Sequence, residues 1–149
     1  MRFRYFSMML LAFGLLFAGC KRQEVTDKEL ILEYLAANNL TAESTDEGVY
    51  YIIEQEGNGE HPTINDQVTV HYEGFLLDGT KFDSSIDRGE PTTFPLSGVI
   101  EGWQIGIPKF SKGGSGKLFV PSKLAYGSSP PSGIPADAVM IFTVQLIDF

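Results

Sequence analysis

Conventional catalytic side chains are sparse in this chain. Among 149 residues there are one cysteine, Cys20, and two histidines, His61 and His71, on different segments. Neither a Ser-His-Asp arrangement nor metal-ligand spacing can be assembled around them, so no metal and no cofactor is expected. His71 alternates with Val70 and Tyr72 and reads as an outward-facing strand residue. What the sequence has instead is aromatic side chains, 12% of residues, several beside turn signals: Tyr72, Phe82, Phe94, Trp103, Tyr126 and Phe142. Such rings dominate cores without further purpose, and they also line clefts that hold apolar ligands. Residue type and spacing leave both readings open.

The elements that would position these rings are short. Val49 to Ile53 is a strand, broken at Gly57-Asn58-Gly59. In Val68 to Tyr72 the side chains of Val68, Val70 and Tyr72 share one face, and Asp78-Gly79 turns the chain into Lys81-Phe82-Asp83 as a half-buried hairpin. Ile100 to Gly106, carrying Trp103, is a short helix; Lys117 to Val120 is a strand stopped by Pro121; Val139 to Ile147 is a long terminal strand. Prolines and glycines between Ser128 and Pro135 mark a surface loop. The sum is an α+β fold, an antiparallel sheet curled around one short helix. Ahead of it, Thr26 to Asn38 carries Leu30, Ile31, Tyr34 and Leu35 on one helical face, with Thr26 and Glu29 as a capping box and Asn38-Asn39 as the stop. This lead-in helix packs on the domain as a spacer, or pairs with a second copy.

The first 19 residues have the build of an export signal. Arg2 and Arg4 precede an apolar run from Met8 to Ala18, too short to span a bilayer but long enough for a signal core. Phe17-Ala18-Gly19-Cys20 follows in the arrangement of a lipobox, with Phe17 where an aliphatic residue is usual. Cys20 is therefore expected to carry lipid and to hold the protein on a membrane. Removing residues 1–19 takes away two of the eleven basic residues and none of the nineteen acidic ones, so the formal charge goes from −8 to −10. A chain that acidic, with no basic cluster beyond Lys21-Arg22, does not bind nucleic acid. Lys21-Arg22 lacks the aspartate used by some bacteria for inner-membrane retention, which points to the outer membrane, facing the periplasm.

The order of motifs narrows the open choice about the aromatics. Val70-His71-Tyr72-Glu73-Gly74, Asp78 to Ser85, Gly98-Val99-Ile100-Glu101-Gly102-Trp103, Leu124-Ala125-Tyr126-Gly127, Gly133-Ile134-Pro135 and Ile141-Phe142 resemble, in sequence, the signatures of FKBP-type peptidyl-prolyl cis-trans isomerases. The resemblance covers Val68 to Phe149. It divides the chain into a lipoprotein signal peptide (1–19), a lipid-anchored linker with its short helix (20–48) and an isomerase domain (49–149).

The resemblance also implies roles. Trp103 is the floor of a proline pocket, walled by Tyr72, Phe82, Phe94, Val99, Ile100 and Phe142, with Ile134 a further contact from the 128–134 loop. Tyr126 and the Ile100 amide hydrogen-bond the ligand's backbone. Asp83 is a carboxylate at the pocket edge, held by Tyr72 and Arg88, and Tyr72, Asp83 and Tyr126 are the residues through which catalysis would act. Thr92 stands where some members have an aromatic residue, and the 128–134 loop is shorter than in well-known members. The partners implied are proline-containing unfolded polypeptides and macrolides of the rapamycin type, bound by a monomer. An alternative reading keeps the cleft but makes the chain a non-catalytic chaperone or binding module.

Overall fold

The computed structural model describes residues 25–149; the signal segment, Cys20 and Lys21-Arg22 lie outside them. Helix α1 (Asp27–Ala37) opens with the anticipated capping box: Glu29 N–H donates to Thr26 Oγ1, and Glu29 Oε2 accepts from Thr26 N–H at 2.8 Å. It ends where Asn39 adopts a left-handed conformation, φ 54°. Then come β1 (Glu43–Ser44), β2 (Tyr50–Gln55), β3 (Gln67–Leu76), β4 (Lys81–Ser84), the single-turn α2 (Ser85–Arg88), β5 (Thr92–Pro95), α3 (Glu101–Gly106), β6 (Ser115–Val120) and β7 (Met140–Asp148). The expected strands and the Trp103 helix are present within a few residues of their expected bounds, whereas β1, α2 and β5 are additions too short to leave a periodic trace.

All seven strands form one antiparallel sheet in the order β1-β2-β6-β7-β3-β4, with β5 also paired to β3. Strand alternation gives the sheet two different faces. The inner face carries Val68, Val70, Leu118, Val120, Met140, Phe142, Val144 and Leu146, packed against Trp103, Ile107 and Phe110. The outer face carries Tyr50, Phe119 and Ile141, and α1 covers it with Ile31 and Leu35, both buried. Tyr34 stands 5.9 Å from the Phe119 ring centroid. At the helix start, Asp27 Oδ2 accepts from the Ser122 N–H and hydroxyl at 2.8 and 2.7 Å. The amphipathic face of α1 is thus spent on its own sheet.

Helix α3 lies close on the inner face, through glycines one turn apart. A Cβ on Gly102 would fall 2.2 Å from Val120 Cγ1, and one on Gly106 2.7 Å from Leu118 Cδ2. With no side chain of its own at these two positions, α3 rests its backbone on the Val120 and Leu118 side chains of β6, and Trp103 packs over the paired strands β3 and β7 against Tyr72 and Phe142.

Gly102→Ala tests this contact. Alanine favours a helix over glycine by about 1 kcal/mol, but a methyl pressed against the stiff, β-branched Val120 costs about 1–3 kcal/mol in overpacking. A lowered melting temperature is expected; an unchanged or raised one would show that α3 has room to lift.

Candidate active site

Trp103 is 4% exposed and meets three aromatic rings from three strands. Tyr72 on β3 lies edge-on at 5.1 Å between centroids, Phe142 on β7 edge-on at 5.1 Å, and Phe94 on β5 tilted at 5.5 Å. Phe82 on β4 stacks edge-on against Phe142 at 5.7 Å. The last contact requires Gly74, where a Cβ would fall 2.5 Å from Phe82 Cζ and 3.2 Å from Phe142 Cε1. Among the described residues the indole Nε1 has no hydrogen-bond partner; its burial is a cost of about 1–3 kcal/mol, offset by the ring contacts around it.

Above this floor is a cavity of about 340 Å³, lined by Tyr72, Phe82, Asp83, Thr92, Phe94, Gly98, Val99, Ile100, Trp103, Tyr126 and Phe142. Its size is at the small end for ligand sites. The rim segment 97–99 is fixed from α3, because Gln104 Nε2 donates to Val99 O at 2.8 Å and more weakly to Ser97 O at 3.4 Å. Ile100 caps α3, and no turn or cap hydrogen bond among the described residues uses its N–H. Tyr126 is 41% exposed at the mouth.

One edge of the cavity is polar. The Tyr72 hydroxyl donates to Asp83 Oδ2 at 2.5 Å, Arg88 Nη1 donates to Asp83 Oδ1, and Ser84 N–H donates to Oδ1 at 2.8 Å. Arg88 Nη2 also reaches the Tyr72 oxygen at 3.1 Å and Thr92 Oγ1 at 3.4 Å, while its guanidinium carbon lies 5.6 Å from the Tyr72 ring centroid. Burial alone would raise the Asp83 pKa. The hydrogen bonds from Tyr72, Arg88 and Ser84, together with the Arg88 charge, outweigh it and hold the carboxyl below the ordinary aspartate value. Burial pushes the Tyr72 phenol up, and its bond to Asp83 adds to that against the opposing Arg88. At neutral pH the edge is therefore a carboxylate, a neutral phenol and a guanidinium.

The structure thus brings together nine of the anticipated residues: Tyr72, Phe82, Asp83, Phe94, Val99, Ile100, Trp103, Tyr126 and Phe142. Arg88 stands behind the edge rather than in the lining. Ile134 belongs to an adjoining depression with Lys81, Pro131, Ser132 and Gly133, which shares Phe82, Asp83 and Tyr126 with the cavity. Gly74, Gly98 and Ser85 also shape the site, and the sequence alone does not mark them as site residues. Their contributions are a missing Cβ, a backbone surface and a side-chain hydroxyl bonded to the Tyr72 backbone, and glycine and serine are too common in turns for their type alone to point to these roles. His71 is half-buried rather than a free surface residue, because its Nδ1 lies 3.0 Å from Ser85 Oγ.

A sequence pattern described as FKBP-type peptidyl-prolyl cis-trans isomerase matches residues 58–147, which contain every residue of the cavity. The chain belongs to that family. Among similar FKBP-type proteins, FkpA of Aeromonas hydrophila is 52% identical over 117 residues, 77% of this chain and 44% of that one. FkpA of Escherichia coli strain K12 is 41% identical over 125 residues, 84% of this chain and 46% of that one, and Mip of Coxiella burnetii is 48% identical over 101 residues, 67% and 44%. This FKBP-type chain spans less than half the length of the curated relatives it matches. Of solved structures, FkpA from Escherichia coli superposes with a TM-score of 0.75 at 37% identity, covering 83% of this chain and 58% of that one. AtFKBP13 gives 0.66 at 31% identity, covering 72% and 98%.

The polar edge makes a pH prediction. Because the folded-state pKa of Asp83 lies below the unfolded value of about 3.9, the stability from its ionised form is fully present above that value and is lost as pH falls through the folded pKa. Asp83→Asn should lower the melting temperature by a constant amount from about pH 8 down to about pH 5, and the gap to the parent should narrow below about pH 4. A gap independent of pH down to pH 2 would show that the carboxylate's charge is not what the edge uses.

Proposed function

We propose that this chain is a peptidyl-prolyl cis-trans isomerase that accelerates X-Pro rotation in exported polypeptides while tethered to a membrane by lipid on Cys20. The observation that carries the activity is the small aromatic cavity over Trp103 with one hydrogen-bonding edge. Rotation about a peptide bond crosses about 18–20 kcal/mol because amide resonance is lost on the way, and at X-Pro it takes tens to hundreds of seconds unaided. No bond need be made or broken, so a site without an activated nucleophile is sufficient.

The chain's own groups supply three things. The rings around Trp103 take the proline ring out of water by van der Waals and hydrophobic contact. The adjoining amide, moved from water into an apolar cleft, loses solvation that favours its planar, charge-separated form over the twisted one. The Tyr126 hydroxyl and the Ile100 N–H then lie at the mouth as donors for substrate carbonyls, and the Tyr72-Asp83-Arg88 edge presents oriented dipoles that act most strongly where water is excluded. Asp83 is already engaged by three donors, so its contribution is electrostatic rather than that of a general base.

Cys20 as the lipid site is supported by Arg2, Arg4, the Met8–Ala18 apolar run and the small residues before it. No helix among the described residues is long and apolar enough to cross a membrane, so a membrane attachment by lipid is consistent with them. The outer membrane, facing the periplasm, is the proposed location, with Lys21-Arg22 in the position after the lipid.

In a protease-coupled or NMR exchange assay on an X-Pro peptide, acceleration that a rapamycin-type macrolide abolishes is the expected result. Macrolide binding to a folded chain that gives no acceleration would favour a binding module. Tyr126→Phe should keep the melting temperature and weaken macrolide binding by the equivalent of one hydrogen bond, about 0.5–1.5 kcal/mol; unaltered affinity would remove Tyr126 from ligand contact. Cys20→Ser should yield a chain lacking acyl mass and shifted to the soluble fraction, and unchanged mass and fractionation would refute the anchor.

A further inference from the structure

The outer edge of β3 is shared end to end by two strands. β5 pairs with it from Gln67 to Val70, the last pair being Val70 with Thr92, and β4 begins at Glu73 with Ser84. His71 and Tyr72 fall in the gap, where no strand residue is available to the backbone of Tyr72. A side chain fills it. Ser85, the first residue of α2 and wholly buried, places Oγ 2.8 Å from Tyr72 N and 3.2 Å from Tyr72 O. One hydroxyl thus serves both polar groups of Tyr72, as a neighbouring strand would.

Tyr72 is held a second time at its other end. Its hydroxyl bonds Asp83 and accepts from Arg88, and Arg88 is on α2 with Ser85. Backbone and phenol of one residue are therefore fastened to the same short segment, 83–88, and the indole floor packs against the ring between. A shift of the Tyr72 backbone toward or away from α2 would change the aim of its hydroxyl at Asp83.

We infer that Ser85 is a positioning residue of the site, which acts through Tyr72 to set the Asp83-Arg88 edge of the cavity. This deepens the isomerase reading and rests on it only for its rate measurement. With Tyr72 N–H donating to Oγ and Ser85 O–H donating to Tyr72 O, the contact with His71 Nδ1 at 3.0 Å closes only if that nitrogen carries a proton. His71 is then the Nδ1–H tautomer when neutral, and the Ser85 Oγ atom accepts two hydrogen bonds and donates one.

The test is a double-mutant cycle on the full chain with Ser85→Ala and Tyr72→Phe. Two quantities are followed: the Asp83 carboxyl titration by NMR, and kcat/KM on a neutral X-Pro peptide. Ser85→Ala should move the Asp83 titration up toward the ordinary aspartate value and lower kcat/KM by about three- to tenfold. In the Tyr72→Phe background both effects should largely vanish, whereas a role in general stability would lower both backgrounds alike. Nitrogen chemical shifts of His71 in the parent should report the Nδ1–H form. If Ser85→Ala does not fold, Ser85→Cys, nearly the same shape with a weaker donor and acceptor, runs the same cycle. A folded variant with unaltered Asp83 titration, or equal losses in both backgrounds, overturns the inference. A parent chain that fails to isomerise overturns the isomerase reading while the titration arm still judges Ser85.

Discussion

The contact between α3 and β6 sets the dimensions of everything around it. Helices packed on sheets are ordinarily held off by a layer of side chains, but Gly102 and Gly106 leave none between this helix and Val120 and Leu118. The approach lowers Trp103 far enough to meet rings from β3, β5 and β7 at once. Gly74 completes the arrangement by letting Phe82 and Phe142 touch over the strand. Three absent methyl groups thus define a floor, and the cavity is the space that remains between that floor and the rim segment tied down by Gln104.

The same sheet must also be sealed on its other side. A strand alternates its side chains, so packing Phe142 inward sends Ile141 outward, and packing Leu118 and Val120 inward sends Phe119 outward. Helix α1 removes those outward residues from water with Ile31 and Leu35. Stability of the inner face and cover on the outer face are therefore linked through the strands they share, although α1 is distant in sequence from every cavity residue.

What the sequence could show follows from which forces leave a pattern in residue type. Alternation exposed β3, the capping box exposed α1, and the in-order motifs carried nine of the eleven anticipated binding residues into one cavity. The two others are displaced for geometric reasons. Arg88 reaches the site through the side chains of Asp83 and Tyr72, and Ile134 lines a depression beyond Tyr126. Strand β5, four residues long with no tight-turn signal beside it, is too short for periodicity and becomes visible only when β3 is seen to pair two strands along one edge. Ser85 was equally hidden: its identity is common in turns, and only the gap beside Tyr72 makes its hydroxyl matter.

Trp103 is the one tryptophan of the 149 residues, and it lies buried at the base of the cavity with Tyr72 and Phe142 against it. Indole emission from this molecule therefore has a single origin. Light absorbed at the red edge of the aromatic band excites that one ring, and its colour and quenching record the polarity of the cavity and the company of its neighbours. The fold has placed its only indole where an occupant would displace water, so the arrival of a ligand can be followed optically with no label attached.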